Sequence, residues 1–88
     1  MSSSPDWKPQ IAPGTRMQHE AAQNAWVLLY PEGMVRLNPS AAEILKRCDG
    51  QRTIAQIATE LETLFNVQGI APQVQDLTAE GARRGWVV

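Results

Sequence analysis

The apolar positions change period once along this chain, and the change divides it into an extended half and a helical half. Arg16-Met17-Gln18-His19-Glu20 is a weak first strand, and Ala21–Asn24 a turn. Ala25-Trp26-Val27-Leu28-Leu29-Tyr30 is the strongest strand. Trp26, Leu28 and Tyr30 fall on one of its faces, Val27 and Leu29 on the other. A half-buried strand alternates apolar with polar, so this pattern predicts a central strand covered on both sides. Tyr30-Pro31-Glu32-Gly33 has tight-turn chemistry. Pro31 sets φ, and Gly33 is free to take the left-handed conformation that closes a hairpin with a bulge. Met34-Val35-Arg36-Leu37 then returns antiparallel, which leaves the first and third strands as edges.

From Asn38 the spacing is helical. Asn38-Pro39 pairs an N-cap side chain with the residue best tolerated in the first helical turn. Ala41, Ile44, Leu45 and Cys48 follow at helical intervals, and Asp49-Gly50 is the expected stop. Thr53 and Gln56 form a capping box, and behind them Ile54, Ile57, Ala58, Leu61, Leu64 and Phe65 make one stripe. A loop through Gly69 leads to Ala71-Pro72 and a third helix running toward Arg84, with Val74 and Leu77 inward. Gly81 falls where the next apolar residue belongs. A glycine there costs about 1 kcal/mol relative to alanine, unless something packs close against the backbone. Gly85-Trp86-Val87-Val88 reads as a helix stop and an apolar tail. The order is βββααα, an α+β fold of a three-stranded antiparallel sheet followed by three helices.

Residues 1–14 hold three prolines, three serines and a glycine and read as an extended N-terminal arm, with residues 15–88 as the domain. Trp7 is either a latch onto the body or part of a free tail. With 88 residues, 43% of them hydrophobic, the chain supports one modest core. Eight basic and nine acidic residues leave a net charge of −1 and no basic footprint for nucleic acid or anionic lipid. The N-terminus lacks a signal-peptide layout and no run approaches the ~20 apolar residues of a membrane span, so a cytoplasmic location is expected. The single cysteine, Cys48, excludes an internal disulfide and reads as a buried thiol. His19 is the one histidine, no Cys/His pair has metal-ligand spacing, and no glycine-rich loop is placed to cradle phosphate. A non-catalytic protein without cofactor or metal is the reading.

The run Leu37–Ile57, with its Leu-Asn, Ala-x-Glu-Ile-Leu, Cys-Asp-Gly and Thr-capped second helix, resembles the central signature of the PqqD family. Trp-Val-Leu-Leu-Tyr-Pro-Glu-Gly upstream and the closing Gly-Trp-Val resemble it too. The resemblance implies a winged-helix-like fold and a recognition element for ribosomally made, modified peptides. Its partners would be the precursor peptide PqqA, which adds as a strand beside the third strand and against the third helix, and the radical S-adenosylmethionine enzyme PqqE. An open edge strand binds another strand readily, with main-chain affinity and alternate side-chain pockets. Gly33, Met34, Val35, Arg36 and Leu37 with Val74, Leu77, Gly81 and Arg84 are therefore the candidate peptide-binding residues. Arg36 and Arg84 are candidates to pair with peptide carboxylates. The polar sides of the first two helices (Glu43, Lys46, Arg47, Arg52) are available to the enzyme. A mostly monomeric protein is expected, with strand or arm exchange as a route to a dimer. Two alternatives stay open: a recognition element for another modified peptide, and a winged-helix nucleic-acid binder. Against the second, the helix at Ile54–Phe65 carries no basic residue.

Overall fold

The computed structural model describes residues 5–88. Its elements follow the expected order: strands β1 (Arg16–Glu20), β2 (Ala25–Tyr30) and β3 (Gly33–Leu37), then helices α1 (Pro39–Lys46), α2 (Ile54–Phe65) and α3 (Ala71–Arg83). The sheet is antiparallel in the order β1-β2-β3. Its register aligns Met17, Leu28 and Val35 in one row and His19, Trp26 and Leu37 in another. Side chains alternate across a strand, so these rows share a face. The intervening rows, Arg16-Leu29-Met34 and Gln18-Val27-Arg36, occupy the other.

The main core cluster lies on the first face. Leu28 and Leu37 join Ala42, Ile44, Leu45, Ile57, Ala58, Leu61 and Val74 from the helices, with Met17, Trp26, Tyr30 and Val35 packed against them. Val27, Leu29 and Met34 lie outside that cluster, and Met34 is 63% exposed. The expectation that β2 is covered on both sides is thus half right. β2 is central and Val27 is buried, but all three helices join the core cluster on the first face. One residue separates β3 from α1, and so short a link returns the chain to the nearer face. The resemblance to a winged helix is accordingly loose, while the βββααα order holds.

The helix starts obey the local chemistry. Asn38 Oδ1 accepts from the Ala41 N–H at 2.8 Å. Thr53 Oγ1 accepts from Gln56 N–H at 3.2 Å while Gln56 Oε1 accepts from Thr53 N–H at 2.8 Å, closing the capping box. The first residue of α3 has no side-chain cap; instead Glu62 of α2 accepts from the N–H groups of Gly69 and Ile70 at 2.8 and 3.1 Å. Three local expectations need correction. Helix α1 stops at Lys46 rather than at Asp49-Gly50, because Cys48–Gly50 pair with the N-terminal segment. Gly33 forms no bulge; it pairs with Tyr30 around the two-residue loop Pro31-Glu32. The stripe of α2 outruns the core, leaving Leu64 and Phe65 58% and 52% exposed.

The arm expected over residues 1–14 has its first four residues outside the described ones, but its second half is docked. Gln10 and Val88 exchange two backbone hydrogen bonds, at 3.0 and 2.8 Å. Ile11 N–H donates to Cys48 C=O, Ala12 N–H to Trp86 C=O, and Gly50 N–H to Pro9 C=O. Trp7 and Ile11 pack against the core, so Trp7 is a latch. This arrangement also accounts for Gly81. A Cβ there would sit 2.9 Å from Val87 Cγ2, and Gly81 C=O accepts from the N–H groups of Trp86 and Val87. The C-terminal segment folds back onto the helix backbone, which leaves no room for a side chain.

Arg47 joins α1 to α2. It donates to the Glu43 carboxylate at 2.9 Å and to Glu60 at 2.8 Å, and Arg52 also reaches Glu60. Hydrogen bonding to Arg47 holds the Glu43 carboxyl below its usual value, against an opposing effect of burial. A depressed carboxyl pKa stabilises the fold above its unfolded value, near 4.5, and that contribution is lost as pH falls through the folded value. Urea melts at pH 7 and pH 3 should therefore show acid destabilisation that Arg47→Met diminishes. An unchanged acid loss in that variant would assign it to other carboxylates.

Candidate functional site

The two sheet edges differ in what they offer. Strand β1 presents exposed Arg16, Gln18 and His19, a polar edge of the kind that discourages pairing. Strand β3 has Gly33, Met34 and Arg36 exposed, Val35 half-buried and Leu37 buried. Val35 and, from α3, Leu77 are each half-buried against the same core cluster. An incoming strand on β3 would have one set of alternate side chains directed to the Val35 face and the other to the Met34 face.

Several candidate residues have no surface to give. Val74 is fully buried, Leu37 is 8% exposed, and Gly81 lies beneath Val87. Val74 and Gly81, expected beside the peptide, are packing residues in the folded domain. Arg84 is exposed but engaged: its Nε donates to Glu80 at 2.5 Å and its guanidinium lies 5.3 Å from the Trp86 ring centre. Arg83 pairs with the same Glu80, and hydrogen bonds from Arg84 and Arg83 lower that carboxyl's pKa. Arg36 makes no ion pair among the described residues.

Two residues absent from the sequence-based set stand near these. Trp86, 6% exposed, packs 5.8 Å from Tyr30 with rings inclined at 45°. It thereby links the hairpin end of the sheet to the end of α3, with Arg84 on its ring. The sequence showed Trp86 only as part of an apolar tail, because its partners lie far away in the chain.

The remaining chemistry is inert. Burial, with a smaller contribution from Asp49, pushes the Cys48 thiol up to about 12, so it is no nucleophile near neutral pH. Its Sγ donates to Ile44 C=O inside the core. His19 packs against Trp26 with ring centres 5.2 Å apart and planes inclined at 57°. Among the described residues no three His, Cys, Asp or Glu side chains could hold a metal ion together. No helix among them is long and apolar enough to cross a membrane.

Residues 25–87 match the family model described as Coenzyme PQQ synthesis protein D (PqqD). This chain belongs to the PqqD family. A relative in Methylococcus capsulatus named PqqA binding protein is 42% identical over 87 residues, covering 99% of this chain and 94% of the relative. The PqqA binding protein of Azotobacter vinelandii is 48% identical over 80 residues, covering 90% and 87%. Among solved structures, the PqqD truncation of Methylobacterium extorquens PqqCD superposes with a TM-score of 0.77 at 27% identity, covering 100% of this chain and 95% of that one. It is described as a functional, stand-alone recognition element for ribosomally synthesised, post-translationally modified peptides. Xanthomonas campestris PqqD matches with a TM-score of 0.57 at 35% identity, covering 94% of both chains. The PqqD family thus accounts for the βββααα order and for a domain that works by binding rather than by catalysis.

Proposed function

We propose that this PqqD-family domain binds the PqqA precursor peptide by strand addition to β3 and presents it to PqqE in the cytoplasm. The observation that carries the reading is the contrast between the two edges. β1 is guarded by polar side chains, while β3 offers its main chain with Val35 half-buried on the core face. Relatives of 42% and 48% identity bear the name PqqA binding protein, which supports PqqA as the peptide. Gly33, Met34, Val35 and Arg36 would flank the added strand, with Leu77 beneath it. Arg36, which makes no ion pair among the described residues, would meet a peptide carboxylate, whereas Arg84 would first have to leave Glu80. The loaded protein would be mostly monomeric, because a peptide on β3 would occupy an edge through which two copies could exchange strands.

An NMR titration with synthetic PqqA peptide tests this. Amide shifts should concentrate in residues 33–37 and in α3 around Leu77, with affinity in the micromolar range or tighter. Shifts confined to β1, or none at all, would defeat strand addition at β3.

A further inference from the structure

The register of the hairpin decides which backbone groups β3 has left to offer. Tyr30 and Gly33 close a two-residue loop. Such a closing pair exchanges both of its backbone hydrogen bonds, and bonded and non-bonded pairs then alternate along an antiparallel ladder. Leu28–Val35 and Trp26–Leu37 are therefore bonded pairs as well, while Leu29–Met34 and Val27–Arg36 are not. Gly33, Val35 and Leu37 accordingly direct their N–H and C=O groups to β2. Met34 and Arg36 turn theirs to the open edge, and among the described residues no backbone bond outside the sheet and helices claims them. The open stretch is short at both ends. Pro31, in the loop, has no N–H, and at the start of α1 the Asn38 C=O already accepts from Ala42 N–H at 3.0 Å.

We infer that the N–H and C=O groups of Met34 and Arg36 are the main-chain groups that hold the peptide, and that the segment recognised is correspondingly short. Two peptide residues, two positions apart, bond to β3, and the residue between them is apolar. The inference rests on the strand-addition reading above. A strand beside β3 meets only the outward groups, whichever way it runs, and those recur at every second residue. Its intervening residue lies opposite Val35 and projects to the core face. Val35 shares that face with Met17 and Leu28 and packs against the core cluster. A charged side chain would be desolvated there without a partner, whereas an apolar one gains contact. The two bonded residues project to the opposite face, beside Met34 and Arg36, which are both exposed. Polar side chains are tolerated there. Selectivity thus resides in one apolar position, framed by two residues chosen mainly for a free backbone N–H.

Amide hydrogen exchange on the full chain, with and without synthetic PqqA peptide, tests the assignment without altering the fold. In the free protein the amides of Met34 and Arg36 should exchange about 100-fold faster than those of Val35 and Leu37. Saturating peptide should slow the first two about tenfold or more and leave the others nearly unchanged. Met34→Pro and Arg36→Pro each remove one outward N–H at a place where an edge strand accepts proline. Each should weaken peptide binding about tenfold more than alanine at the same position, since alanine keeps the N–H. A methyl group placed on successive backbone nitrogens of the peptide should weaken binding at two positions, two apart, and leave the position between them unaffected. Sensitivity at three or more alternate positions, with Met34 and Arg36 protected, overturns the short frame and leaves strand addition standing. Peptide that binds without protecting either amide, or that does not bind at all, overturns both.

Discussion

Val35→Asp will weaken PqqA-peptide binding by about 100-fold or more, a loss of ~2.7 kcal/mol. Met34→Asp, one residue away, will lose less than a tenth as much. The difference follows from the period of two. Val35 shares the row of Met17 and Leu28 and packs against the core, so its side marks the wall an incoming strand would meet. A carboxylate there puts charge where the peptide should bury apolar groups. Met34 points to the opposite face and is mostly exposed, so a carboxylate there stays solvated. Both variants keep the main-chain edge, so the comparison isolates the side-chain pocket from the backbone. Calorimetry on the two variants, with amide spectra to confirm folding, gives the ratio. Equal losses would mean the peptide does not lie along β3 in a pleated register.

Removing residues 1–12 will lower the melting temperature by about 10 °C or more, despite leaving every named strand and helix intact. The deletion takes away the paired backbone bonds between Gln10 and Val88 and those from Ile11 and Ala12 and to Pro9. It also uncovers the core contacts of Trp7 and Ile11. Full burial of such side chains contributes about 1.5–3 kcal/mol each, and each hydrogen bond about 1 kcal/mol net. Ordering the segment offsets part of that, so the net loss is on the order of 3 kcal/mol. The C-terminal segment loses its partner strand as well, which should loosen Trp86 from Tyr30. Differential scanning calorimetry with tryptophan fluorescence would detect both effects. A melting temperature within two or three degrees of the full chain would show the docked arm to be energetically neutral.

The two predictions draw on different kinds of information. Strand boundaries at Ala25–Tyr30, the Asn38 cap and the Thr53–Gln56 box were legible because each depends on residues within four positions of one another. The family signature was legible for the same reason, since Leu37–Ile57 is a contiguous run of caps, stops and helix-face residues. Candidate binding residues were harder. Residues 33–37 came from recognising an edge strand, but Val74 and Gly81 were assigned to the groove when the fold uses them for packing.

What the sequence by itself determined is the order of elements, the central position of β2, the open edge at β3 and membership of the PqqD family. Local backbone preference and apolar period suffice for the first three, and the family follows from the resemblance carried by Leu37–Ile57. Only the tertiary structure decided that the helices join the core on one face of the sheet, and that Arg16 and Arg36 on the other make no ion pair among the described residues. It also decided why residue 81 is glycine, since the cause is Val87 folding back against the helix. The same holds for the arm, whose Gln10 finds Val88 across nearly the whole chain. Such contacts join residues remote in sequence, and neither propensity nor spacing records which distant segment will fill a given gap.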